Sequence, residues 1–205
     1  MKKIILTALM ILSVLTATVF AAEETSQGYE YTSQTYGFKI ACPAVPKVVV
    51  NPFEDPNKKG ELLVFANDGM KILYGYQILL DAFDTKEVPD FNKAKQKVLD
   101  EYLEKLRINE AYEYAEIGNI AKDNKAVFAV TAKEIEVKDD NGEVEGVLEA
   151  ETQNAIAFFR TKSGRCISIQ FITDKIDDEA VENFRKSVIS YRDATDLAMP
   201  KKSKK

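Results

Sequence analysis

The chain has 205 residues, of which 28 are basic and 33 acidic, and its formal net charge is −5. An acidic balance gives little attraction to a phosphate backbone, so we do not expect nucleic acid as a partner. The sequence contains no histidine, which removes the usual serine–histidine and cysteine–histidine nucleophile pairs and the commonest zinc ligand. We therefore expect a protein that is not an enzyme, with no catalytic residues, no metal site and no cofactor.

The N-terminus has the pattern of a secretory signal peptide. Lys2 and Lys3 precede an apolar run over residues 4–20, and Ala21 supplies a small residue before the cleavage site. A transmembrane anchor is the alternative, but it needs about 20 apolar residues, and this run is shorter and contains serine and threonine. We expect residues 1–21 to be removed, which gives an exported protein, periplasmic or secreted, with no transmembrane span after cleavage.

Two hairpins follow in the first half of the chain. Alternating apolar and polar residues predict strands at 29–32 and 36–42, and then at 62–66 and 71–80. Asp68-Gly69 predicts the turn of the second hairpin. Both faces of strand 71–80 are largely apolar, which predicts that this strand is covered on both sides.

Two helices are predicted, one before and one after a run of strands in the sequence. Pro89 and Asp90 indicate the start of the first, because proline suits the first turn and aspartate complements the helix dipole. Its apolar residues recur at helical spacing as far as residues 107–109. The second covers residues 178–192, with Asp177 or Asp178 as its cap.

Between these helices the turn signals separate four strands. The first starts at Tyr112, and the others cover 127–137, 148–160 and 166–173, with Asn141-Gly142 as the central hairpin turn. The predicted fold class is therefore α+β, an antiparallel β-sheet with helices packed on its faces. We expect residues 22–192 to form a single α+β domain and residues 193–205 to be a disordered basic tail.

Three tyrosines form the first candidate for a binding surface. Tyr29, Tyr31 and Tyr36 lie in or beside the N-terminal strands, and tyrosine is enriched at interfaces because its ring can be buried while its hydroxyl stays in water. Packing against the sheet is the alternative for tyrosines in strands.

The two cysteines, Cys42 and Cys166, allow two interpretations. In an exported protein an even number of cysteines suggests a disulfide. Two buried thiols are the alternative, because free cysteine packs as a small apolar residue.

Carboxylates are numerous around the central hairpin, at Glu134, Glu136, Glu143, Glu145, Glu149 and Glu151. A pair of them could in principle perform acid–base chemistry on a sugar. Residues 139–143 are superficially similar to a calcium loop, but the first and twelfth ligand positions fall on Val137 and Leu148, so the match fails. We interpret these residues as the charged surface of long strands.

The stretch Tyr-Gly-Phe-Lys-Ile at residues 36–40, followed by Pro43, together with the order of elements, resembles the PsbP-like family. That family includes a lumenal photosystem subunit and exported bacterial relatives. The resemblance implies an α/β/α sandwich and a binding, adaptor or assembly protein rather than an enzyme. No residue of this chain matches a functional residue of that family.

These observations predict an exported, non-catalytic binding or adaptor module of the cell envelope, whose partner is a protein or another envelope component. The alternative is a carrier of a small ligand or cation that uses a cleft between sheet and helix. A hydrolase built on carboxylates alone is the third reading.

Overall fold

The computed structural model describes residues 24–25, 28–55, 57–109, 112–131, 134–138, 141, 143–149, 153–174 and 176–197. Within them the strands are, in chain order, β1 Glu24–Thr25, β2 Gly28–Thr32, β3 Lys39–Cys42, β4 Val48–Val50, β5 Lys59–Ala66, β6 Ile72–Leu80, β7 Tyr112–Ala121, β8 Asn124–Thr131, β9 Glu134–Lys138, β10 Val144–Glu149, β11 Gln153–Arg160 and β12 Cys166–Thr173. The helices are α1 Gln96–Asn109, α2 Asp178–Ser190 and α3 Ala194–Leu197. The predicted signal peptide lies outside the described residues.

Seven strands form one antiparallel sheet in the order β4-β5-β6-β12-β11-β8-β7. The predicted four-stranded run is confirmed as β7-β8-β11-β12. The predicted bounds of its two long strands, 127–137 and 148–160, are wrong. Each is interrupted, and β9 and β10 pair with each other as a separate hairpin. Thr131 is the last residue of β8 and pairs with Tyr112, the first residue of β7, while Gln153, the first residue of β11, pairs with Thr173, the last of β12. The fold class is α+β, as predicted.

One face of the sheet, here called the inner face, carries the main hydrophobic core. Phe65, Tyr76 and Phe171 lie on it, and Phe184 of α2 stacks on Phe171 with ring centroids 6.0 Å apart. Burying a side chain of this size stabilises the fold by about 1.5–3 kcal/mol. The α2 helix is also attached to the sheet edge, where Arg185 pairs with Glu116 of β7.

The N-terminal hairpin of β2 and β3 packs on the same inner face. With β1 it forms a three-stranded sheet of its own. Lys39 exchanges two main-chain hydrogen bonds of 2.9 Å with Arg192, and the Ala41 amide donates to the Ser190 hydroxyl at 2.7 Å. The hairpin is therefore held by the chain that follows α2.

The opposite, outer face is covered by α1 on its β7–β8–β11 side, where Leu99 and Leu106 pack with Val127. The predicted start of this helix at Pro89 and Asp90 is wrong, because the helix begins at Gln96. The Asp90 carboxylate accepts from the Asn92 amide at 3.0 Å, and such a turn competes with the first helical turn.

The chain continues to pack after residue 192, where the sequence predicts the tail to begin. Asp193 is buried, accepts hydrogen bonds from the Tyr191 hydroxyl and the Thr195 amide, and lies 3.6 Å from Arg165. Residues 193–197 thus belong to the packed structure, and residues 198–205 lie outside the described part. Among the described residues, no helix combines the length and apolar composition required to cross a membrane.

The α2 cap gives a first prediction. The Asp177 carboxylate accepts from the Ala180 amide at 2.8 Å, as predicted for a cap. We expect Asp177→Ala to lower the free energy of unfolding by about 1 kcal/mol, because a helix amide loses its partner. Urea unfolding measures this change. Asp178→Ala is the matched control, since it removes the same charge one residue later without removing the cap, and an equal loss in both variants would contradict the assignment.

Candidate functional site

The three candidate tyrosines do not form an exposed surface. Tyr29 and Tyr31 are buried, Tyr31 with 3% of its surface exposed, and Tyr36 is half-buried. The interpretation of Tyr29 and Tyr31 as surface residues is therefore corrected, because both face the sheet from β2. Tyr36 keeps part of its surface accessible.

Tyr31 belongs to a buried polar cluster that joins the N-terminal hairpin to the sheet. Its hydroxyl donates to Glu61 Oε2 at 2.8 Å, and the Ser33 hydroxyl donates to Glu61 Oε1 at 2.8 Å. Glu61 is itself buried in β5. Burial, and then the charge of Glu61, raise the pKa of Tyr31 well above its usual range. This tyrosine is thus a structural donor.

The two cysteines are free and buried. Cys166 is opposite Arg160, beside the Ile167–Leu80 pair. The residue after Cys42, Pro43, lies instead against Tyr74 and Thr173, at the other end of β6 and β12. That separation is roughly 20 Å along the strands, whereas a disulfide needs Cα atoms within about 7 Å. The Cys42–Cys166 pairing is therefore not formed in this structure.

Four of the six glutamates of the central hairpin lie in β9 and β10. The β9–β10 pairing places Glu134 opposite Glu149, and Glu143 is exposed. The side chains of the other predicted glutamates lie outside the described residues. In the described part of the chain, no group of three or more cysteine, aspartate or glutamate side chains is arranged to hold a metal ion.

An apolar part of the outer face, over β4, β5, β6 and β12, has no helix packed on it among the described residues. Residues paired directly across antiparallel strands share a face, and the register identifies one continuous set. We call it the open face: Val48, Val50, Leu62, Val64, Leu73, Gln77, Leu79, Gln170 and Ile172. None of these side chains is charged. Within the described residues, α1 packs on the β7–β8–β11 half of the outer face, and no helix packs on the open face.

The open face ends at the tip of the β5–β6 hairpin, where exposure is greatest. Leu73 is 47% exposed and Met70 is 61% exposed. Met70 has a φ of 59°, which is uncommon for a residue with a side chain. The left-handed residue of this hairpin is therefore Met70, which directly follows the predicted Asp68-Gly69 turn.

The open face was not predicted, although the sequence contains a signal for it. The apolar residues on both faces of strand 71–80 predicted coverage on both sides. That prediction is correct for the inner face, whereas no helix of the described residues packs on the outer face of this strand. The run Val48–Val50 was a second indication, because three consecutive valines at a sheet edge place apolar groups on both faces.

The fold and the open face together define a class of protein: an α+β sandwich whose sheet presents one uncharged apolar surface. No protein-family model and no curated protein sequence matches the chain. Among solved structures, it is similar to the solution structure of cyanobacterial PsbP, CyanoP, from Synechocystis sp. PCC 6803. The two are 11% identical, the match covers 89% of this chain and 98% of that chain, and the TM-score is 0.46. No functional residue is transferred from that protein.

The Tyr31–Glu61 contact gives a second prediction. We expect Tyr31→Phe to lower the free energy of unfolding by about 1–3 kcal/mol, because a buried carboxylate oxygen loses its donor. Chemical denaturation measures the loss. Tyr36→Phe removes the same hydroxyl from a half-buried position and should stay within about 0.5 kcal/mol of the wild type. Equal effects in the two variants would show that the Tyr31–Glu61 hydrogen bond does not stabilise the fold.

The buried thiol gives a third prediction, on pH. Burial raises the pKa of Cys42 from 9.0 to about 12. The pKa of this thiol is higher in the folded state than in the unfolded state. The protonated thiol therefore contributes its full stabilisation below the unfolded pKa. That stabilisation is lost as pH rises from about 9 to 12, by up to about 1.4 kcal/mol per pH unit. Cys42→Ala lacks this loss. The stability gap between wild type and variant, measured by urea unfolding under reducing conditions, should therefore narrow between about pH 8 and pH 10.5. A constant gap would contradict the prediction.

Proposed function

We propose that this protein is an exported, non-catalytic binding module that uses the open face to bind the apolar surface of a partner protein. The observation that carries the proposal is an uncharged apolar surface, four strands wide, on an α+β fold. Apolar patches of this kind mark interaction sites when they are contiguous. Export is supported by the pattern of residues 1–21, and a non-catalytic role by the absence of histidine.

The chemistry of the open face favours a protein over a charged surface. A membrane-binding or nucleic-acid-binding face carries lysine and arginine beside its apolar groups, and the open face carries neither. Its polar groups are the side-chain amides of Gln77 and Gln170, which lie opposite each other on neighbouring strands. An amide both donates and accepts, so a partner with uncharged polar groups in an apolar surround fits it.

The size of the face sets the expected strength of binding. Four strands at about 4.8 Å spacing and about 20 Å in length cover roughly 400 Å². This area is in the range of the functional apolar patches of monomeric proteins. It is smaller than the roughly 800 Å² that each partner buries in a stable complex. We therefore expect a transient complex, unless the partner also contacts neighbouring elements such as the β9–β10 hairpin.

The test is site-specific photo-cross-linking of the full-length chain in the envelope of its own cells. Gln77→p-benzoylphenylalanine places the reactive group in the middle of the open face, and Ile189→p-benzoylphenylalanine places it on the outside of α2. Ile189 is a matched control because it is 44% exposed and belongs to the opposite side of the sheet. We expect one discrete protein adduct from position 77 and none of that mass from position 189.

Competition supplies the quantitative part of this prediction. Added wild-type protein should suppress the adduct, and Leu73→Gln should suppress it roughly 5- to 30-fold less well, since about 1–2 kcal/mol of apolar burial is lost. Ile189→Gln should compete like the wild type. A lipid adduct, an adduct between two copies of this chain, or equal competition by both variants would overturn the proposal.

A further inference from the structure

The tip of the β5–β6 hairpin, here called the hairpin tip, consists of residues 67–73, and all of them are exposed. Three large apolar side chains lie within four positions of it: Met70 is 61% exposed, Ile72 55% and Leu73 47%. The described residues include eight exposed large apolar side chains, and three of them lie at this one turn. Single exposed apolar residues are normal, whereas contiguous ones mark interaction sites. The hairpin tip is therefore a candidate contact surface.

The hairpin tip projects beyond the strands on either side of it. On the β4 side the last pair toward the tip is Val48 with Val64, and on the β12 side it is Thr173 with Tyr74. Residues 67–73 lie between Val64 and Tyr74 in the chain, so no other strand of the described residues flanks them. The tip thus stands out from the end of the sheet with both of its faces accessible.

The two faces of the hairpin tip each carry an apolar side chain. Successive side chains of a strand point to opposite faces, and Ile72 and Leu73 are adjacent in β6. Leu73 belongs to the open face, so Ile72 lies on the inner side, like Tyr74 two residues later. A flat partner surface would cover Leu73 and leave Ile72 in water. A partner that covers both side chains must hold the tip between two walls.

The charges of the hairpin tip favour a protein cleft over a lipid bilayer. Asp68 lies at the turn itself, its side chain is fully exposed, and it pairs with Lys47 of the neighbouring segment at 3.4 Å. Insertion of the tip into a bilayer would carry this carboxylate in ahead of Ile72 and Leu73, and a charge in that environment is costly. A protein cleft can instead provide polar groups for Asp68 and for Lys71.

We propose that the hairpin tip inserts into an apolar cleft of the partner protein, with Leu73 against one wall, Ile72 against the other, and Asp68 and Lys71 at a polar base. This inference rests on the proposed function, because the cleft belongs to the same protein that binds the open face. It adds contact area to that face, whose roughly 400 Å² is small for a stable complex. It also specifies the shape of the partner, which is concave.

Photo-cross-linking of the full-length chain in the envelope of its own cells tests this arrangement. Ile72→p-benzoylphenylalanine probes the inner wall, Leu73→p-benzoylphenylalanine the outer wall, and Gln77→p-benzoylphenylalanine the open face. Ile189→p-benzoylphenylalanine is the control, since Ile189 is also exposed but lies on the outside of α2. We expect protein adducts of one common mass from positions 72, 73 and 77 and none of that mass from position 189.

The pattern of adducts separates the two proposals. An adduct from position 77 without one from position 72 would overturn the cleft and leave the proposed function standing. The absence of an adduct from position 77 would overturn both.

Competition by added protein measures the contribution of the inner wall. Wild-type protein should suppress the position-77 adduct, and Ile72→Gln should suppress it about 5- to 20-fold less well, because an apolar side chain is no longer buried on binding. Ile189→Gln removes an exposed isoleucine outside the tip and should compete like the wild type. Equal competition by the two variants would overturn the proposal.

A vesicle assay tests the bilayer as the occupant. The protein purified from the envelope is mixed with vesicles of phosphatidylethanolamine and phosphatidylglycerol and separated by flotation. We expect the protein to remain unbound. Flotation of the wild type that is lost in Ile72→Gln would show that the tip inserts into lipid and would overturn the proposal.

Discussion

The pairing of β6 with β12 joins the two halves of this chain. Residues almost one hundred positions apart lie opposite each other in it, from Tyr74–Thr173 to Leu80–Ile167. Without this pairing the β5–β6 hairpin and the β7–β8–β11–β12 run would be two small sheets, each with an additional exposed edge. Closing so long a loop costs conformational entropy, and that cost must be offset by the side chains on the two paired strands.

The two faces of this strand pair contribute very differently to that offset. On the inner face Tyr76 contacts Phe171 edge-on at 5.5 Å and Phe184 at 6.0 Å, so sheet and α2 share one aromatic cluster. Edge-to-face pairs of this kind add about 0.5–1.5 kcal/mol beyond the burial of their area. On the outer face the same strands carry Gln77 opposite Gln170 and Gly75 opposite Ile172, which lack such a partner layer in the described structure. The aromatic packing of this strand pair therefore lies on its inner face.

Local patterns predicted much of this fold, and long-range packing explains what they missed. Asp177 was recognisable as a cap because its role depends on the next three residues. Asp90 carries the same local signal, but it closes a turn and the helix starts six residues later. Strand periodicity showed that Tyr31 alternates with polar residues, yet only the tertiary structure places Glu61 within hydrogen-bond distance. The open face depends on where α1 lies, which no local pattern specifies.

The position of α1 determines how much of the outer face is left open. A helix is about 10 Å wide, whereas seven strands at about 4.8 Å spacing extend over roughly 30 Å, so one helix covers only part of the outer face. Leu99 and Leu106 direct it to the β7–β8 side, which leaves the β4–β5–β6–β12 side open. The position of α1 over β7 and β8 therefore accounts for the open face.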